Sequence, residues 1–194
     1  LLSPDDRDLT QIIDKADYAR RSSKQLKNSH TYTIYSDQME AKQDQYAYLR
    51  SHIPHAFKNH EIVILYQPKY DLLTERMIGA EALVRWKDPK GTLLLPEVFL
   101  PILQQERLLA DLDFYIIEEV CKRLKSLKEK GKRIYPVSIH LSVAHLQTKD
   151  FMKRFIGIVE QYKIPISYLN LEIDEKCFYD EPDTMLSFLL DLKE

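Results

Sequence analysis

A carboxylate and a guanidinium stand four residues apart in the largely apolar run Gly79-Ala80-Glu81-Ala82-Leu83-Val84-Arg85-Trp86. Side chains alternate along a strand, so Glu81, Leu83 and Arg85 share one face, opposite Ala80, Ala82, Val84 and Trp86. Placing two opposite charges in such a run is costly unless each finds a partner. Two readings follow: a structural ion pair or a functional site. Two further segments carry polar groups with the same alternation. Val137, Ile139 and Leu141 leave Ser138, His140 and Ser142 opposite them, and Leu169, Leu171 and Ile173 leave Asn170, Glu172 and Asp174 opposite. If Glu81, His140 and Glu172 converge, they repel or lose solvation unless a cation joins them, and a divalent metal satisfies two carboxylates and an imidazole together. The alternative is a buried network that includes Arg85.

These residues need strands to hold them, and the chain supplies strand-like segments near Ile62 to Asp71, Arg76 to Trp86, Tyr135 to Ser142 and Tyr168 to Asp174, most of them separated by helical patterns. Leu112, Ile116, Val120, Leu124 and Leu127 form an apolar helical stripe ending before Gly131, while Lys122, Lys125, Lys128 and Lys130 can face water. A hairpin followed by repeated helix-strand units predicts a largely parallel sheet covered by helices, which suits a barrel or a doubly wound sheet. Upstream, Leu9 to Lys27 keeps helical spacing, and Thr31 to Tyr35 is a short β-prone segment. Met39 to Phe57 predicts a second helix, with a kink or a new turn at Pro54.

At 194 residues, 44% hydrophobic and 30% charged, the chain can bury a sizeable core and make one domain or parts of two. A formal net charge of −2 with no basic stripe argues against a DNA or RNA polymer, so any nucleotide must be captured by a local site. Cys121 and Cys177 lack metal spacing and fit a reducing cytoplasm. His52, His55 and His60 have no carboxylate or cysteine at ligand spacing and read as a solvated face. No apolar run reaches 18 residues, which predicts no membrane contact from this segment, although an anchor elsewhere in a parent protein is compatible with it. The start at Leu1, with neither an initiator Met nor a signal pattern, predicts a segment of a larger protein.

Tyr66-Gln67-Pro68, then Glu81-Ala82-Leu83 followed by Arg85-Trp86, then the Pro-x-x-Phe-x-Pro segment Pro96 to Pro101 resemble the EAL family. The resemblance implies an α/β fold, a (β/α)8 TIM-like barrel with only its N-terminal half present, since such a barrel takes about 250 residues. It implies a phosphodiesterase that uses divalent metal, Mg²⁺ or Mn²⁺, to hydrolyse cyclic di-GMP to linear pGpG. Position by position, Glu81 and Glu172 match metal ligands, and Glu175 matches the second Glu of the family's Glu-Leu-Thr-Glu segment, which braces a loop. Gln67, Leu83 and Arg85 match substrate contacts. Where the family has Asn-Leu-Ser this chain has His140-Leu141-Ser142, and Asp174 stands in place of Thr. An imidazole nitrogen replacing a carbonyl oxygen favours Mn²⁺ over Mg²⁺. The same departure keeps open a second reading, a degenerate EAL domain that binds cyclic di-GMP or a protein without turnover. Residues 1–36 resemble the C-terminal tail of a GGDEF domain, which makes 37–60 a linker helix and 61–194 the N-terminal half of the EAL domain. Family members commonly dimerise, so the resemblance leaves a homodimer open, and no residue here marks a self-complementary surface.

Overall fold

The computed structural model describes residues 8–25, 33–142, 150–173, 182, 185, 186 and 188. The chain divides into two compact units, residues 1–52 and 53–194. In the first, helix α1 (Leu9–Gln25) follows the expected spacing, and Asp17 pairs with Arg20 at 2.7 Å and Arg21 at 2.6 Å, one turn further on. Helix α2 (Asp37–Lys58) begins where the Ser36 carbonyl accepts the Met39 and Glu40 amides, with Asp37 and Glu40 favourably placed in its first turn. One expectation needs correction: the described part of the β-prone segment, 33–35, is in neither helix nor strand. Helix α2 runs through Pro54 as one helix. Pro54 removes one backbone donor near the helix end, and the buried Ile53 and Ala56 keep the last turn in place.

In the second unit, β1 (Ile62–Tyr70) and β2 (Met77–Lys87) form an antiparallel hairpin. Its turn is tied by Asp71, whose Oδ1 accepts the Leu73 and Thr74 amides and the Thr74 hydroxyl. A two-residue strand, β3 (Leu93–Leu94), pairs with the end of β2. Helices α3 (Pro96–Gln105) and α4 (Leu109–Glu129) then lead to β4 (Val137–Leu141), which lies parallel to β2. Helix α5 (Phe151–Tyr162) leads to β5 (Leu169–Ile173), parallel to β4, giving the order β1-β2-β4-β5. Helix α4 stops as its sequence predicts. Gly131 adopts φ +66°, the Gly131 amide bonds the Lys128 carbonyl and the Lys132 amide bonds the Leu127 carbonyl, a Schellman closure.

The core lies between the sheet and its helices. Trp86, Phe99, Ile102, Leu103, Ile117, Val120, Cys121 and Ile139 are buried there, and Trp86 meets Phe99 edge-on at 5.9 Å. The indole N–H donates to Glu61 Oε2 at 3.1 Å, so even its polar atom is satisfied. Burial pushes the Cys121 thiol up to about 11, which marks a packing residue rather than a nucleophile. Gly79 lets β2 close on the start of β4: a Cβ there would lie 3.0 Å from the Pro136 carbonyl oxygen, which accepts the Ala80 amide, so a side chain would push the two strands a few tenths of an ångström apart. Helices cover the face that bears Ala80, Ala82, Trp86, Val137 and Ile139, whereas Gln67 and Asn170 on the other face are exposed. A doubly wound sheet would carry helices on both faces, so this is a barrel wall. No helix among the described residues is long and apolar enough to cross a membrane.

Candidate active site

Strand register assembles the site. Gln67 lies opposite Glu81 across the antiparallel pair, Glu81 beside Ser138 and His140 beside Glu172 across the parallel ones. Register partners project to the same side, so four strands deliver these groups to the face without helices. Strand β1 runs against its neighbours. Lys69, two residues after Gln67 and level with Gly79, therefore sits one pleat toward the floor and reaches upward.

The result is a closed ring of polar contacts. Lys69 Nζ donates to Glu172 Oε1 at 2.9 Å and to Ser138 Oγ at 2.8 Å, and lies 3.9 Å from Glu81 Oε2. His140 Nε2 lies 2.9 Å from Glu81 Oε1 and 3.4 Å from Glu172 Oε2. Each carboxylate thus turns one oxygen toward the ammonium and the other toward the imidazole. Ser138, only 3% exposed, is satisfied within this network. Its hydroxyl, and after it the Lys69 ammonium, hold the Glu172 carboxyl below its ordinary range.

One donor atom from each of Glu81, His140 and Glu172 lies within 4.8 Å of the other two. An ion about 2.1 Å from each of two donors holds them roughly 3 Å apart. The separations from the imidazole nitrogen to the two carboxylate oxygens are of that size, and two oxygens with one nitrogen suit a divalent cation.

Beside the ring, a cleft of about 1150 Å³ opens between the C-terminal ends of β2 and β4 and helices α3 and α4. Leu83, Arg85, Arg107, Asp113 and His140 line it. The Arg85 guanidinium donates to the Val84 carbonyl at 2.7 Å and forms no ion pair among the described residues. Asp113, 4% exposed on α4, accepts the Ser142 amide at 2.8 Å and the Ser142 hydroxyl at 2.6 Å, fixing the end of the strand that carries His140.

Glu81, His140 and Glu172 are brought together as their alternation predicts, with Gln67 next to Glu81 in register and Leu83 and Arg85 at the cleft. The alternative network with Arg85 is corrected: the cation beside the acidic pair is Lys69, because Arg85 lies two pleats away along β2. Lys69 escaped the sequence reading, although it shares the alternation of Gln67 and signals its direction that way. Asp174 and Glu175 lie outside the described residues.

Residues 50–194 match the family model described as EAL domain. Signaling protein YkoW of Bacillus subtilis is 29% identical over 194 residues, 100% of this chain and 24% of that protein. The bifunctional diguanylate cyclase/cyclic di-GMP phosphodiesterase MucR of Pseudomonas aeruginosa is 24% identical over 158 residues, 81% of this chain and 23% of its own length. The chain therefore spans about a quarter of the length of these relatives. The solved structure of the PaMucR phosphodiesterase in complex with c-di-GMP resembles it with a TM-score of 0.68 at 24% identity, over 77% of this chain and 59% of that one, a likeness of fold.

Proposed function

The chain belongs to the EAL domain family, and from that premise we propose that it acts in cyclic di-GMP signalling as a metal-dependent phosphodiesterase that opens cyclic di-GMP to linear pGpG. The observation that carries this reading is the convergence of Glu81, His140 and Glu172 within 4.8 Å at the edge of a cleft that also holds the Arg85 guanidinium, which has no ion-pair partner among the described residues. EAL domains are generally dependent on divalent metal, and Glu81, Glu172 and His140 are the residues that would hold it here. A bound ion supplies Lewis-acid charge at the phosphorus oxygens and an activated water.

The remaining work falls to the chain's own side chains. Arg85 offers a fork of donors matched to a phosphodiester, Gln67 offers amide hydrogen bonds next to Glu81, and Leu83 packs against the ligand. Asp113 holds Ser142 and so the height of His140 in the cleft. We assign Glu175 to bracing a nearby loop, as the family pattern implies. The donor set makes Mn²⁺ the preferred ion over Mg²⁺. Residues 1–36 are read as the tail of a GGDEF domain and 37–60 as a linker helix, a reading supported by the segment's own sequence and by the bifunctional character of the MucR relative.

Calorimetry and product analysis on the full-length protein with cyclic di-GMP and Mn²⁺ test the proposal. Binding followed by release of pGpG is the expected result, and no binding at any metal concentration overturns it. A second reading, a domain that binds cyclic di-GMP without turnover, is favoured by one observation: His140 bridges both carboxylates where the family places Asn. Binding without pGpG in wild type, with hydrolysis gained by His140→Asn, selects that reading.

A further inference from the structure

Lys69 enters the acidic pair from a direction no other group uses. Its strand is antiparallel to its neighbours, so its side chain comes from the floor of the sheet while Glu81, His140 and Glu172 come from the upper ends of theirs. It takes the two carboxylate oxygens that His140 does not face, at 2.9 Å and 3.9 Å, and is anchored by the buried Ser138 hydroxyl at 2.8 Å. The oxygens turned to His140 remain available to a cation. A metal-ligating imidazole is neutral. Glu81, Glu172 and Lys69 then present a single negative charge to an incoming dication, where the carboxylates alone would present two.

We propose that Lys69 is a resident counter-ion of the site, a positioning residue whose fixed charge sets how weakly the Glu81–Glu172–His140 cluster binds a divalent cation. The inference rests on the metal site of the reading above and goes beyond it by assigning a role to a residue outside the ligand set. Two effects compete in this role. Hydrogen bonds from an outer partner orient ligating carboxylates, and losing such a partner typically weakens metal binding about 10- to 100-fold. Against this, an ammonium a few ångströms from a dication repels it strongly, more so in a partly desolvated site. Lysine is a point charge on a flexible stem, poorer at orienting than a planar guanidinium. His140 and Ser138 also remain to orient the pair. Repulsion therefore wins, and removing the charge tightens cation binding.

The test is titration of the full-length, metal-stripped protein with Mn²⁺ alone, by calorimetry. Lys69→Met should bind Mn²⁺ at least about tenfold more tightly than wild type, whereas Lys69→Arg, which restores the charge, should stay near the wild-type value. In the absence of metal Lys69→Met should also melt lower than wild type, because the carboxylates then repel, and Mn²⁺ should close that gap. Lys69→Gln replaces the Met variant if the latter does not fold. Unchanged or weaker Mn²⁺ binding on loss of the charge overturns the proposal, as does equal tightening in the Arg variant. Since Mn²⁺ is the only ligand added, failure of the nucleotide reading would leave this comparison intact.

Discussion

Around Glu81 each carboxylate of the site has an opposite charge within 4 Å, whereas four residues further along the same strand the Arg85 guanidinium hydrogen-bonds the Val84 carbonyl and has no ion pair among the described residues. In the first region Lys69 offsets one of the two carboxylate charges, and the His140 imidazole contacts both carboxylates. The second offers cationic donors to a cleft lined also by Arg107. Two pleats of one strand thus separate a place suited to a cation from a place suited to an anion. A metal-assisted attack on a phosphodiester needs both, set side by side on a rigid element.

The comparison breaks most visibly if Arg85 is structural. Arg85→Ala should weaken cyclic di-GMP binding by about 2 to 5 kcal/mol, since its loss leaves a desolvated phosphate unpaired, and calorimetry showing unchanged affinity would remove the anion half of the contrast. Asp113→Ala comes next: it strips the Ser142 amide and hydroxyl of their buried acceptor and should cost about 1 to 3 kcal/mol in urea denaturation. It should do so with the Glu81–Lys69–Glu172 contacts intact, because Asp113 touches none of them. His140→Asn sharpens the cation half, shifting the preference between Mn²⁺ and Mg²⁺ toward Mg²⁺ by about tenfold, or ~1.4 kcal/mol. Indifference of both metals to that change would place His140 outside the ligand set.

The smallest effect belongs to a control outside both regions. Tyr162 donates to Glu118 Oε1 at 2.7 Å, joining α5 to α4, and this bond, followed by Lys122, holds the Glu118 carboxyl below its ordinary value of 4.5. A carboxylate depressed by folding stabilises the native state above its unfolded pKa, and the contribution is lost as pH falls through the folded value. Tyr162→Phe should therefore destabilise by about 0.5 kcal/mol near neutrality, low in the usual range because Glu118 is partly exposed. The difference should shrink as pH falls below 4.5 and through the lower folded value, as read by denaturation at several pH values. A constant difference would show that packing rather than charge ties these helices.

Much of this was legible from alternation. The second, third and fourth long strands fall where period-two patterns predict, because one face of each must lie under helices, and the same patterns aim Glu81, His140 and Glu172 together. Pro54 sits one turn before the end of its helix, where a proline deletes one bond only and the helix runs on. Strand β3 is too short for any period, and Leu93-Leu94 reads as part of the loop that precedes α3. Lys69 is a different case. Its parity with Gln67 gives its face, but only the antiparallel direction of β1 places it below the carboxylates and within reach of both, a property of the sheet rather than of the segment. The family of the chain was readable from Gln67, Glu81-Ala82-Leu83 and Arg85-Trp86, whereas the metal a site prefers depends on distances no motif contains.

The opening hairpin also orders events in time. Lys69 and Glu81 lie on two strands joined by a single short turn, whereas His140 is 59 residues from Glu81 and Glu172 is 103 from Lys69. Contacts close in sequence form with little loop entropy, and a chain emerging during synthesis folds from its N-terminal side. The Lys69–Glu81 contact is therefore the least costly loop of the ring to close, and the contacts to His140 and Glu172 need far longer ones. An isolated hairpin is marginal in water, so that first contact becomes lasting only once β4 and the helices pack against β2.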